Sequence, residues 1–182
     1  MLTSSSLRFI GFGLRDTRPP PGWSGPPHVT SVCSVSECVN SAPEGWLDKW
    51  RHNDFGFFDT PALALSVTDH PAAFQLYAYR LLDVAFAKGG DGVLGLTGFP
   101  AEPPVPGSRV IGYDVVSGSV SVGFECSPLS CNHMADEVSV NEFCLIPDLD
   151  AAIHLARRFA AEEPEPGPYV VIEVSAVPHP GA

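Results

Sequence analysis

The side chains able to do chemistry begin with cysteine. Cys33 and Cys38 enclose one four-residue interval, Cys126 and Cys131 enclose another, and His133 follows the second pair. Thiolates and an imidazole are the donors a structural zinc uses, but these intervals stand at the loose edge of its usual two-to-four-residue spacing. Free cysteine is also among the most buried residue types, so packing rather than metal is the expectation. Cys144, where the first half of the chain has Gly56, reads as core filling. Cys131 and His133 are too close in sequence to align as nucleophile and base.

The histidines show neither His-x3-His nor His-Glu-x2-His spacing. His52-Asn53-Asp54, flanked by Trp50 and Phe55, could line a pocket or form a turn held by the asparagine side chain. Gly89-Gly90-Asp91-Gly92 lacks the phosphate-loop pattern and reads as a turn between strands. The carboxylate pairs Glu162-Glu163 and Asp148/Asp150 belong to a helix end and a helix start. No catalytic residue, metal ligand or cofactor is assigned. The binding candidates are Trp23, Trp46 and Trp50 as aromatic anchors, with His52, Asn53 and Asp54 beside them.

The elements that position these residues are written twice. NDFGFFDTPALAL (53–65) returns as NEFCLIPDLDAAI (141–153), and RFIGFGL (8–14) returns as RVIGYDV (109–115). The latter pair are apolar runs suited to strands entering a core. Thr60 caps a first helix over 61–67, with Pro61 in the first position, and Asp148 caps a second over 148–163. Leu149, Ala152, Ile153, Ala156, Phe159 and Ala160 form the second helix's apolar stripe, leaving His154 and Arg157 outside it. Each half closes on a β-rich run, 74–86 and 169–177. The expected fold is α+β: two related modules, 1–98 and 109–182, each strand–loop–strand–helix–strand, packed into one compact unit. The Pro-rich stretch 99–108 connects them, and Trp46, Leu47 and Trp50 sit in an insertion of the first.

Composition narrows the function classes. The chain has 182 residues, 45% hydrophobic and 17% charged, as a globular protein does. Its formal charge of -11 repels phosphate backbones, so no nucleic-acid partner is expected, and a basic protein partner fits. No apolar run approaches the ~20 residues of a membrane span, and MLTSSSLRFIGFGL lacks the basic region of a secretory signal. With an odd number of cysteines, the expected location is a reducing cytoplasm. Arginine dominance over lysine, with abundant Ala, Gly and Pro, fits a GC-rich bacterial source.

The run GYDVVSG, FECSPLSCN, VNEFCLI, then DAAIHLARRFAAEEPEPGPYVVIEV resembles small, mostly uncharacterised bacterial proteins. Some of these are encoded beside polymorphic toxins and act as immunity proteins. The likeness spans Ile111 to Val174, with a fainter echo over Ile10 to Leu82. It implies a non-catalytic, toxin-neutralising protein and attaches no catalytic residue to the pattern. A second likeness joins GFFDTPALALSV and FQLYAYRL to ADP-ribosyltransferase-like folds. That alternative implies an enzyme acting on a nucleotide ligand, with Arg8, Tyr79 and Glu173 in the NAD-site roles.

Overall fold

A computed structural model describes residues 6–36, 43, 52–102, 106–119 and 123–179. Trp46, Trp50 and Cys38 lie outside the described residues. The fold is α+β, built on one antiparallel sheet. Its strands are β1 (Leu7–Arg15), β2 (Gln75–Ala87), β3 (Gly90–Val93), β4 (Arg109–Ser119), β5 (Gly123–Phe124) and β6 (Tyr169–Ala176). The order across the sheet is β1-β2-β6-β4-β5, with β3 folding back on the far end of β2. Strand β6, YVVIEVSA, and most of β2 are buried on both faces. Their dense apolar runs therefore replace the polar–apolar alternation of a half-solvated strand.

The two faces are covered by different materials. Even-numbered β2 residues such as Leu76 and Leu82 pack under helices α1 (Pro61–Leu65) and α3 (Leu149–Glu162). The odd-numbered ones, Tyr77, Tyr79 and Leu81, pack under irregular chain that contributes Cys33, Val35, Phe57 and Leu145. The 28–36 segment crosses toward the second half on this side, where Cys33 N donates to Phe143 O at 3.0 Å.

Both helices begin as their caps dictate. Thr60 Oγ1 accepts from Leu63 N, and Asp148 Oδ1 accepts from Ala151 N at 2.8 Å. Helix α3 buries Ala152, Ile153, Leu155, Ala156, Phe159 and Ala160, and leaves His154 and Arg157 exposed. It stops at Glu163, which adopts a left-handed conformation before Pro164. Among the described residues no helix is long and apolar enough to cross a membrane.

Corresponding registers appear on either side of the β2–β6 pair. Gly11 lies opposite Tyr79, Gly112 lies opposite Val174, and Tyr79 and Val174 face each other. Each outer strand carries its irregularity one step before that glycine, at Phe9/Gly11 and at Val110/Gly112. In place of the short second strand expected in each half, there is one isolated bridge: Phe12 to Phe58, and Tyr113 to Ile146. These bridges cover backbone on the outer sides of β1 and β4 that would otherwise invite pairing with another chain.

Candidate functional site

The Asn53 turn shows why that residue recurs as Asn141. Asn53 Nδ2 donates to Ile10 O at 2.9 Å, while its Oδ1 accepts from Phe55 N and Phe57 N at 3.1 and 3.2 Å. Asn141 Nδ2 donates to Ile111 O at 2.7 Å, and its Oδ1 accepts from Phe143 N and Leu145 N at 3.0 and 3.2 Å. Each asparagine thus closes its own loop and fastens it to the strand beside it. Contact is close enough to require glycine on that strand: a Cβ at Gly11 would lie 2.6 Å from Phe57 Cβ, and one at Gly112 2.7 Å from Leu145 Cβ. Of the two readings of Asn53, a pocket wall or a side-chain-anchored turn, these hydrogen bonds form the turn. Gly56 and Cys144 occupy the same left-handed turn position, with φ of 78° and 59°. Cys144 is core filling as expected, but in a turn rather than a strand.

Of the other expected contact residues that are described, His52 and Asp54 flank Asn53 and Trp23 lies elsewhere. His52 is half-buried with Nδ1 3.2 Å from Asn53 O, and Asp54 is exposed on the turn. Trp23 packs instead against the α3 cluster, its ring 6.4 Å from that of His133. Gly25 underlies that indole, because a Cβ there would sit 2.3 Å from the ring.

The two buried thiols, Cys33 and Cys144, have little nucleophilic character. Cys33, 3.3 Å from Tyr77 Oη, has its pKa pushed up to about 11 by burial, and burial pushes Cys144 up to about 12. Cys131 Sγ lies 3.2 Å from Ser36 Oγ. Cys33 and Cys144 are free thiols, and no group of three or more His, Cys, Asp or Glu among the described residues is placed to hold a metal.

Two carboxylates are buried on opposite faces of the sheet. On the helix face, Glu173, 2% exposed, receives Arg80 Nε at 2.7 Å and Arg80 Nη2 at 2.8 Å. This two-pronged pair spans directly opposed residues of β2 and β6. Arg80 Nη1 also donates to Ala101 O and Glu102 Oε1, and Tyr113 Oη donates to Glu173 Oε2 at 3.3 Å. Burial, reinforced by the Glu173 charge, pushes the Tyr113 pKa up to about 12.

Asp114, on the loop face, is fully buried among neutral donors. Ser127 Oγ donates to its Oδ1 at 2.6 Å, and Ser34 Oγ and Val35 N donate to its Oδ2 at 2.8 and 2.9 Å. Burial raises its pKa, and these hydrogen bonds oppose the rise without cancelling it. The carboxylate joins β4 to the crossing segment and to the loop before helix α2 (Pro128–Cys131).

The arrangement separates two of the residues of the NAD-site alternative. Tyr79 faces the loop side and Glu173 the helix side, since Glu173 pairs with the neighbouring Arg80. They do not converge on one ligand.

One concave feature among the described residues is an open groove of about 310 Å³ beside α3. Val138, Ile146, Ala151 and Leu155 supply apolar wall, and His154 and Arg158 stand on the helix side. Arg158 Nε is 3.2 Å from Glu162 Oε2, and its Nη2 is 3.9 Å from Glu137 Oε2. Comparison with protein-family models, curated proteins and solved structures finds no match.

Proposed function

We propose that this chain is a non-catalytic protein-binding module of the immunity or toxin-neutralising type, which occludes a basic protein domain in a reducing cytoplasm. Charge carries the reading. Asp and Glu number 21 against 10 Lys and Arg. Several of those cations are already matched: Arg80 with Glu173 and Glu102, Arg157 with Asp91, Arg158 with Glu162, Lys88 with Glu163, and Arg18 with Asp16. The surplus acids create a field that accelerates encounter with a basic surface and opposes an anionic one. The free thiols Cys33 and Cys144 fit a reducing compartment.

The same reading makes the chain two copies of one unit, 1–98 and 109–182, joined through 99–108. The paired asparagine turns, the glycine opposite each and the helix that follows each turn support it. A lone unit would leave an inner strand edge open, and pairing β2 with β6 closes it.

The test is capture of the partner on the immobilised protein, followed by association kinetics in rising salt. Screening shortens from ~10 Å at 0.1 M to ~3 Å at 1 M, so the on-rate should fall steeply while dissociation changes less. An on-rate indifferent to salt would reject charge-steered binding.

A further inference from the structure

We propose that the groove beside α3 seats one large apolar side chain of the partner, presented between basic flanking residues. The inference rests on the reading above and locates its contact surface. The groove is walled by Val138, Ile146, Ala151 and Leu155, which favours an apolar occupant. Its walls are held in place. Ile146 exchanges two backbone hydrogen bonds with Tyr113 at 2.9 Å, and Leu155 is anchored in the α3 cluster. A preformed seat lowers the ordering cost of docking.

The charge around the groove selects the flanks. Arg158 is shared between Glu162 and Glu137, so two carboxylates meet one guanidinium. Asp136 and Asp150 are exposed on the adjoining chain. The rim is therefore net acidic despite Arg158, and it complements lysine or arginine beside the inserted side chain. Phosphorylated small molecules meet a rim of their own sign and are opposed. At about 310 Å³ the groove stands at the small end of ligand pockets, which run ~300–1,000 Å³. One anchoring side chain is the better match.

The experiment titrates the full chain, isotope-labelled for NMR, with a synthetic Leu/Lys amphipathic peptide. An all-Lys peptide and a Leu/Glu peptide of equal length are the comparators. The Leu/Lys peptide should shift resonances of Val138, Ser139, Ala151 and Leu155, and rising salt should weaken it several-fold. Ser139→Trp, which fills the mouth from an exposed position, should weaken it at least tenfold. Arg158→Glu should tighten it about threefold or more by freeing the rim acids. Equal shifts from the all-Lys or Leu/Glu peptide, or no response to either substitution, would overturn the groove assignment. Applied to the captured partner, Ser139→Trp separates the two readings. Salt-sensitive binding that ignores it rejects the groove but keeps the acidic binder, whereas salt-insensitive binding rejects both.

Discussion

Glu173 and Asp114 are both buried acids within one sheet, yet they are stabilised in different ways. Glu173 faces a guanidinium across β2 and β6 and gains a phenol from Tyr113. Asp114 faces two serine hydroxyls and the backbone amides of Val35 and Val115, with no cation among its hydrogen-bond donors in the described residues. The first arrangement neutralises a charge within the sheet. The second satisfies a carboxylate's oxygens while leaving its charge costly, which is why burial raises its pKa. A paired acid demands its partner, and an unpaired one responds to protons.

The largest expected effect comes from breaking the pair on one side. Glu173→Ala leaves Arg80 buried beside the weaker partner Glu102, and should cost about 3–5 kcal/mol in a denaturant titration. The joint replacement Arg80→Met/Glu173→Leu removes both charges and should be near neutral, because well-packed apolar residues commonly match a buried ion pair. If the double variant lost as much as the single one, the pair would be doing more than balancing itself.

Asp114→Ala should cost less, about 2 kcal/mol. It strands the Val35 amide and leaves two hydroxyls that can rotate toward other acceptors, and each buried donor left unmet costs ~1–3 kcal/mol. Asp114→Asn preserves shape and should cost about 1 kcal/mol, but it should also change the pH dependence. The folded state raises the pKa of this acid above its unfolded value, so it binds the proton more tightly than the unfolded chain does. Its contribution to stability is fully present below the unfolded pKa of ~3.9 and is lost as pH rises through the raised folded value. Stability curves of wild type and Asp114→Asn should diverge across that window. Parallel curves would mean that Asp114 does not titrate differently on folding.

The smallest effect belongs to a surface pair. Arg157 meets half-exposed Asp91 at 2.9 Å and lies over the Phe86 ring, and Arg157→Ala should change stability by about half a kcal/mol. A loss comparable with that of Asp114→Ala would erase the distinction between buried and exposed charge on which the comparison depends.

The sequence discloses these regions unequally. Helix starts are legible because Thr60 and Asp148 are local capping signals, and α3 is legible because its apolar stripe is local too. The recurrence of asparagine is visible, but its purpose is not. Asn53 bonds to Ile10 O, a contact that exists only once the loop lies against β1. Both carboxylates are obscure for the same reason. Asp114 meets Ser34 from the first half, and Glu173 meets Arg80 only in the β2–β6 register. Read along the chain, Glu173 resembles a free acid in search of a role; read across the sheet, it already has one.

On the proposed function, the buried acids maintain the fold while the acidic surface would do the binding. The most direct measurement is the association rate of the captured partner with wild type and with Arg80→Met/Glu173→Leu, which leaves net charge unchanged, across a salt series. The account predicts matching rates for the two proteins and a steep decline with salt in both. A folded double variant that no longer binds, or a rate that salt does not change, would contradict it.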